Sequence, residues 1–255
     1  MVRQKANTGM RSAHARVARG LGLAIVSGEF PVGSFLPGKE VLMQRFGVSN
    51  TVLREAMQAL SAKGLVAART KIGTWVADQS QWNMFDADIL SWQLEVGVDK
   101  AFLASLFEMR QTLEPMAAAA AALQRTPAQA ERLVDLAAAM SDPSHDRASF
   151  TAIDVAFHLC LLEASGNPFM RSIGAAIATA LAASFEVSAP PDDPVLAGIA
   201  HRQHAAIAEA VRRQDSQGAA DAMVAAIRQG WTFSGSPGRL IATLDVQDFP
   251  LCRDD

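Results

Sequence analysis

Several features common in secreted proteins and in enzymes are scarce or missing from this sequence. The chain has two cysteines, Cys160 and Cys252, whose wide separation fits neither a disulfide framework nor the paired spacing of a thiolate zinc site. Its first residues lack the apolar run of a secretory signal, and the alanine-rich stretch at residues 116–123 is too short to cross a bilayer. We therefore expect a soluble protein of the reducing cytoplasm with no membrane partner.

Short motifs of common enzymes are missing as well. The sequence contains no His-Glu-x-x-His zinc helix, no Gly-x-Ser-x-Gly nucleophile turn and no glycine-rich phosphate loop. These absences argue against an enzyme. With 255 residues, of which 50% are hydrophobic, the chain is long and apolar enough to bury a core in each of two domains.

The charge of the chain is distributed unevenly. Residues 1–78 hold eleven Lys or Arg against four Asp or Glu, a net charge of +7, whereas residues 79–255 hold 12 basic and 22 acidic residues, a net charge of −10. A basic first third joined to an acidic remainder indicates two domains with different partners, the first of them a polyanion. A solvated basic face is an equally good interpretation of the charge alone.

The first third has the hydrophobic pattern of three helices. Apolar residues recur at helical spacing over residues 11–27, and a short helix is predicted over residues 39–46 after proline and glycine breaks. Gly47 permits a tight turn, and Ser49 can cap a third helix by accepting a hydrogen bond from a free backbone N–H. A helix-turn-helix of this kind can lay its second helix into the major groove of DNA.

Polar side chains at the start of the third helix are the predicted DNA readers. With the apolar residues turned inward, Asn50, Thr51 and Arg54 fall on the solvent side of its first turns. Arginine can grip a guanine through two hydrogen bonds, whereas Asn and Thr suit base edges or phosphates. Lys39, one helix back, is expected close to the DNA backbone. Taken singly each is more simply an ordinary surface group, but their order along the chain favours DNA contact.

The segment after Gly64 is predicted to form two short strands around a basic turn. Gly73 allows tight backbone geometry at that turn. Arg69 and Lys71 would then stand on a wing that can touch phosphates or the adjacent minor groove.

Four segments of the first third carry a specific resemblance. They read Leu-Pro-Gly-Lys-Glu, Phe-Gly-Val-Ser-Asn-Thr-Val-Leu-Arg-Glu-Ala, Leu-Ser-Ala-Lys-Gly-Leu-Val and Lys-Ile-Gly-Thr-Trp-Val. Together they resemble the winged helix-turn-helix of the GntR superfamily of bacterial transcription regulators. Asn50 stands where many members have Arg, which implies a different operator sequence. The resemblance places the following residues in contact with DNA or in the wing: Lys39, Ser49, Asn50, Thr51, Arg54 and Gly73.

Residues 79–98 are predicted to link a DNA-binding domain at 1–78 to a second domain at 99–235, which a tail at 236–255 follows. The linker is too apolar for a free tether, so we expect it to pack against a domain or across a dimer, with simple core filling as an equal alternative. Its pattern Gln-Trp-Asn followed by Asp-x-Asp-Ile-Leu-x-Trp-x-Leu resembles that of superfamily members that respond to sugar acids.

The second domain is predicted to be an antiparallel bundle of helices, whose interior can enclose a ligand or a metal. Asp154 and His158 lie four residues apart and share one helix face, and His204 is expected to point inward from a later helix, with His201 as a competitor for that role. A helix-surface pair is the simpler interpretation of Asp154 and His158 alone. The helices are predicted at about residues 100–124, 127–140, 147–165, 168–187, 193–213 and 216–232.

Several motifs of this bundle together resemble the FCD domain of the FadR subfamily. They are Glu108-Met-Arg110-Gln-Thr-Leu-Glu114, Asp154-x-x-x-His158, Ala164-Ser-Gly-Asn-Pro168 and His204-Ala-Ala-Ile-Ala-Glu-Ala-Val. Many FCD domains hold a divalent metal, such as zinc, with one Asp and three His. By resemblance Asp154, His158 and His204 would bind the metal, the effector or both, while Ala226 replaces the fourth ligand and puts metal occupancy in doubt.

The resemblance also implies an effector class. An aldonate, a sugar acid such as galactonate, brings a carboxylate that needs a cation or an arginine and hydroxyls that suit Asp, His or Asn. Arg110 is the predicted carboxylate ligand. A surface salt bridge of Arg110 with Glu114 or Glu108 is an equally good interpretation.

The sequence therefore predicts a mainly α protein with an N-terminal winged helix-turn-helix and a C-terminal all-α FCD bundle. The leading hypothesis is a homodimeric repressor of sugar-acid catabolism that binds double-stranded operator DNA and leaves it when a carboxylate effector binds. Two alternatives are a metal-dependent hydrolase using Asp154, His158 and His204, and a nonspecific architectural DNA binder.

Overall fold

The computed structural model describes residues 2–188 and 194–233, and the predicted tail at 236–255 lies outside them. The chain divides into two compact units, residues 1–97 and residues 98–255. Within the described part, no helix is both long and apolar enough to cross a membrane.

The first unit begins with three helices followed by a two-stranded hairpin. The first helix begins earlier than the predicted residue 11, and its buried side, which includes Val17 and Leu21, packs on the third helix. The third helix contributes Leu53 and Leu60 to the same core. The elements are α1 (Val2–Val26), α2 (Lys39–Phe46), α3 (Asn50–Ala62), β1 (Val66–Arg69) and β2 (Gly73–Val76).

The turn between α2 and α3 forms as the sequence predicts. Gly47 ends α2 in the left-handed conformation, with φ of 62°, and its N–H donates to the Met43 carbonyl. Ser49 caps α3, since its hydroxyl oxygen accepts a hydrogen bond from the backbone N–H of Val52 at 3.5 Å. The two caps fix the direction in which α3 leaves the turn.

The hairpin is antiparallel, with Val66 opposite Val76 at its base and Arg69 opposite Gly73 at its tip. The segment before α2 adds a short stretch of pairing on the other side of β2, because the Leu36 N–H donates to the Thr74 carbonyl at 2.9 Å. The predicted wing is therefore confirmed as a β-hairpin anchored on both sides at its base.

The predicted linker packs within the first unit. A single 3-10 turn (Gln79–Gln81) leads into α4 (Ala87–Val96), which Asp86 caps by accepting from two backbone N–H groups. The Lys63 ammonium, at the end of α3, lies 2.8 Å from the Asp86 carboxylate. Trp82 and Trp92 are buried in the core of the unit. Of the alternatives left open by the sequence, the structure shows core filling inside the first unit.

The second unit is helical in all its described residues. The predicted helix over residues 168–187 is divided at Ile173, which ends α8 before α9 begins at Gly174. A Cβ at residue 174 would lie 2.8 Å from the Leu159 side chain, so glycine there allows α9 to pack closely on α7. The helices are α5 (Lys100–Gln124), α6 (Pro127–Ala139), α7 (Arg147–Ala164), α8 (Pro168–Ser172), α9 (Gly174–Ser188), α10 (Pro194–Arg212) and α11 (Ser216–Phe233).

Helix α5 runs through the middle of this bundle and packs against α7, α9, α10 and α11. An unbroken run of buried alanines in its second half, at residues 117–122, lets neighbouring helices approach closely. Around its middle, α5 instead buries polar side chains, of which Glu114 contacts His158 of α7.

Candidate functional site

The exposed face of α3 carries the side chains predicted to read DNA. Asn50, Thr51 and Arg54 are exposed, whereas Val52 and Leu53 on the same turns are buried. Ser49 is also exposed, and its hydroxyl already caps the helix. Any DNA contact by Ser49 would therefore use the hydroxyl that also fixes the helix start.

Ion pairs divide the basic residues of the first unit into two groups. Arg45 pairs with Glu29 at 2.7 Å, and Lys63 pairs with Asp86. Arg19 pairs with Glu95. By contrast, within the described residues no ion pair is recorded for the following three predicted DNA contacts: Arg54, Arg69 and Lys71. Among the described side chains of this unit, the cations without a recorded acidic partner are thus those of α3 and the wing together with Arg16 of α1.

Lys39 and the wing line one open groove. Its walls are Lys39 at the start of α2 and residues 68–74 of the hairpin. Lys39 lies 3.7 Å from Glu40, and both side chains are largely exposed. A groove with three cations and few acids suits a phosphate backbone.

In the second unit, three helices bring five buried ionisable side chains together. Arg110 and Glu114 come from α5, Asp154 and His158 from α7, and His204 from α10. Each is less than a tenth exposed. Charged groups are rarely buried unless they are paired, so the cluster is a strong candidate for a functional site.

Glu114 holds two other members of the cluster in place. One carboxylate oxygen accepts from Arg110 Nε at 2.5 Å, and the other contacts His158 Nδ1. The pair of Arg110 and Glu114 that the sequence suggested therefore exists, but it is buried and not on the surface. Glu108, the other partner considered, is exposed.

The outer ring nitrogens of both histidines face acceptors. His158 Nδ1 contacts the Glu114 carboxylate, and His204 Nδ1 lies 2.7 Å from the Ala200 carbonyl oxygen. A carbonyl or carboxylate can only accept, so each Nδ1 carries the donated hydrogen, an assignment made from these partners. The Phe157 ring stands edge-on to His204 at 4.8 Å and limits its rotation.

The inner nitrogens of both histidines therefore converge with Asp154. His204 Nε2 lies 3.0 Å from Asp154 Oδ1 and 3.4 Å from His158 Nε2, and Asp154 Oδ2 is buried without a hydrogen-bond partner among the described residues. Lone pairs so close would repel each other unless a proton or a cation lay between them. The donor atoms of these three residues lie within 4.8 Å of one another, which suits a divalent metal.

The charges of the cluster stabilise one another. Burial by itself would raise the pKa of Glu114, but Arg110 and His158 more than offset it and hold the pKa at about 2. Burial acts the same way on Asp154, whose pKa is nevertheless lowered, chiefly by its hydrogen bond with His204. The pKa of His204 is raised, because the Asp154 carboxylate outweighs the opposing effect of burial. Both carboxyl groups are therefore anionic at neutral pH.

The remaining candidates are placed differently. His201 Nδ1 lies 2.9 Å from the Ala137 carbonyl of α6, so His204 and not His201 joins the cluster. Gln203 donates to the Ala225 carbonyl at 3.4 Å, so α10 and α11 are in contact next to residues 204 and 226. Ala226 offers no ligand atom there.

Two polar residues of α5 were missed as site residues. Glu114 was considered only as a salt-bridge partner, and Gln111, which is buried with its side-chain oxygen unpartnered in the described structure, was not considered. They lie three residues apart on one helix face, which is the signal that could have found them.

Two family models match this chain. Residues 13–76 match the model described as bacterial regulatory proteins, gntR family, and residues 105–229 match the FCD domain. The galactonate operon transcriptional repressor of Escherichia coli (strain K12) is 30% identical over 212 residues, which is 83% of this chain and 92% of that protein. The transcriptional repressor NanR of Enterobacter sp. (strain 638) is 31% identical over 193 residues, 73% of this chain and 72% of that protein.

A solved structure shares the fold. It is that of Lar, described as controlling expression of the Listeria monocytogenes agr system, and it matches with a TM-score of 0.61 and 20% identity over 87% of this chain and 96% of that one. The matching families and the two relatives are transcription regulators and not enzymes.

Proposed function

The chain belongs to the gntR family of bacterial regulatory proteins and carries an FCD domain, and on that premise we propose that it represses sugar-acid catabolism and leaves its operator when an aldonate binds. The observation that carries the proposal is the buried cluster of Asp154, His158 and His204, built into the FCD domain of a DNA-binding regulator. The 30% identical relative is named for the galactonate operon, and galactonate is an aldonate, which supports this effector class.

The DNA half of the proposal assigns roles to the exposed cations. Arg54, with Asn50 and Thr51 beside it, reads base edges in the major groove, while Arg69 and Lys71 hold phosphates from the wing. Lys39, which lines the protein groove beside the wing, contacts the DNA backbone. Two copies of the chain would place two α3 helices on a two-fold operator, one helical turn of DNA apart.

The effector half follows from the charges of the cluster. Glu114 balances Arg110, and Asp154 is balanced only while His204 carries its extra proton; once His204 is neutral, as metal binding requires, the Asp154 charge would repel an aldonate carboxylate. A divalent cation held by Asp154, His158 and His204 would supply the missing positive charge and attract that carboxylate. Arg110 uses Nε for Glu114, and we assign its terminal nitrogens to the carboxylate of the effector. Binding there would favour a dimer arrangement that no longer fits the operator half-sites.

The two alternatives are weaker. A hydrolase is disfavoured because the families that this chain matches are regulators and not enzymes. A nonspecific architectural DNA binder would have no use for a buried set of ionisable groups at one point of the bundle.

The effector assignment is tested by thermal unfolding with a panel of aldonates, with and without EDTA. We expect one hexonate to raise the midpoint by roughly 5–10 °C at 100 times its Kd, and EDTA to remove the shift. The matched control is the hexitol with the same hydroxyls and no carboxylate, which should produce no shift. An equal response to the hexitol would contradict the carboxylate assignment, and a hexonate shift that survives EDTA would remove the metal from it.

Replacing Arg54 by Ala is expected to weaken binding to a duplex from the protein's own promoter region by roughly 10- to 100-fold, because one bidentate contact to guanine is lost. Arg45→Ala is the matched control, since Arg45 is a partly exposed arginine of the same unit already paired with Glu29. It should change binding less than about threefold. Gel-shift titrations measure both, and equal losses in the two variants would contradict the role of Arg54.

A further inference from the structure

The wing projects away from the body of the first unit. Burial decreases along both strands from Val66 and Val76 at the base to Arg69 and Gly73, which are exposed. The three residues of the loop, Thr70 to Ile72, are also exposed. The tip of the hairpin is therefore free to enter a groove narrower than the domain itself.

An apolar side chain stands at this tip. Ile72 is 54% exposed, although isoleucine gains from leaving water. It lies in a loop with Arg69 and Lys71, neither of which has an ion pair recorded within the described part of the chain. An apolar group beside two cations without recorded ion pairs matches a surface that meets DNA, where charged phosphates flank an apolar interior.

The loop is ordered around Ile72 by its own contacts. The Ile72 N–H donates to the Arg69 carbonyl at 3.1 Å, and Lys71 adopts a left-handed conformation with φ of 65°. Phe35 stands edge-on to Trp75, with ring centroids 6.4 Å apart, and supports the hairpin from one side. The tip therefore meets its partner as a preformed shape, which lowers the entropy lost on binding.

We propose that Ile72 is a wedge that enters the DNA minor groove beside the site read by α3 and opens a base step there. The inference rests on the proposed DNA-binding function. The minor groove is about 6 Å wide, enough for one side chain of the tip. Apolar wedges of this type unstack a step and kink the duplex, while neighbouring Lys and Arg hold the flanking phosphates.

The wedge makes operator choice depend on a base step that no polar group reads. Pyrimidine–purine steps unstack most easily, so such a step at a fixed distance from the α3 half-site would bind best. Ile72 is thus a specificity-determining residue that acts through the deformability of DNA, whereas Arg54 acts through hydrogen bonds to base edges.

The test uses duplexes selected by the full-length protein from a randomised pool, with 2-aminopurine placed in turn at each step that flanks the half-site. Wild type is expected to raise the fluorescence of the probe several-fold at one step per half-site. Ile72→Ala should abolish that rise and weaken binding roughly tenfold, the loss expected for about three half-buried carbon groups. The slope of log Kd against log salt concentration should be the same for Ile72→Ala as for wild type, because no charge is removed.

Two control variants separate the wedge from its surroundings. Lys71→Ala should lower the salt slope by about one phosphate contact yet keep the fluorescence rise. Val32→Ala, which removes an exposed apolar side chain at the base of the hairpin, should behave as wild type. If wild type unstacks no base step, or if Ile72→Ala retains the fluorescence rise and the affinity, the proposed role of Ile72 is wrong. The proposed DNA binding would be unaffected by that result. If wild type selects no duplex, the proposed function itself fails.

Discussion

Replacing Glu114 by Gln is expected to lower the free energy of unfolding by about 3–5 kcal/mol, as is typical when one partner of a buried charge pair is removed. Glu114 accepts from Arg110 and contacts His158 through its two carboxylate oxygens, and it is 1% exposed. A glutamine oxygen can accept from only one of these donors, while its amide group faces the other as a second donor. Arg110 would also remain buried without its counter-charge.

The comparison for Glu114→Gln is Glu108→Gln on the same helix. Glu108 is exposed, so this change should cost less than about 0.5 kcal/mol. Urea unfolding at pH 7 measures both variants, with EDTA present so that metal binding does not contribute. A loss of less than about 1 kcal/mol in the free energy of unfolding of Glu114→Gln would show that the carboxylate does not stabilise the cluster.

Helix positions in both units followed closely from the sequence, because apolar residues recur at helical spacing and caps mark the ends. The predicted helix over 39–46 coincides with α2, and Gly47 and Ser49 act as the turn and the cap that their residue types suggest. The break at Ile173 was missed. Beside the break, a Cβ at residue 174 would lie 2.8 Å from the Leu159 side chain of α7, a tertiary contact that local sequence does not contain.

The linker shows the same limit of sequence reasoning. Its aromatic residues indicated packing but not the surface on which they pack. The structure buries Trp92 against Gly22 of α1, where an added Cβ would lie 2.3 Å from the ring, so the small residue that receives the tryptophan is 70 positions away. Complementarity over such a separation becomes visible only after folding.

The metal-site candidates could be proposed from spacing and family resemblance, but the role of Glu114 could not. An Arg and a Glu four residues apart on a helix are a common surface pair, and only the packing of α7 and α10 against α5 makes this one a buried support for His158. The same packing pins both Nδ1 atoms outward and so determines which histidine nitrogens face Asp154.

Replacing Ala226 by His is expected to raise the affinity for Zn²⁺ at least roughly tenfold, because a fourth protein ligand would complete a tetrahedral set. The hydrogen bond from Gln203 to the Ala225 carbonyl joins α10 and α11 one residue from His204 and one residue from position 226, and Ala226 is partly buried on α11. Competition with a chromophoric zinc chelator measures the affinity. Thermal unfolding in Zn²⁺ and in EDTA reports the stabilisation that the metal provides.

Two further variants serve as controls for the gain of zinc affinity expected in Ala226→His. Ala225→His places the same side chain one residue earlier, at an exposed position, and should leave affinity near that of wild type. Asp154→Asn removes the anionic ligand and should abolish the stabilisation by zinc, about 2.7 kcal/mol at 100 times the wild-type Kd. Equal zinc affinities for Ala226→His and Ala225→His would mean that residue 226 does not reach the cluster. Zinc stabilisation that persists in Asp154→Asn would place the metal elsewhere, and the charge argument for an aldonate at this cluster would fail with it.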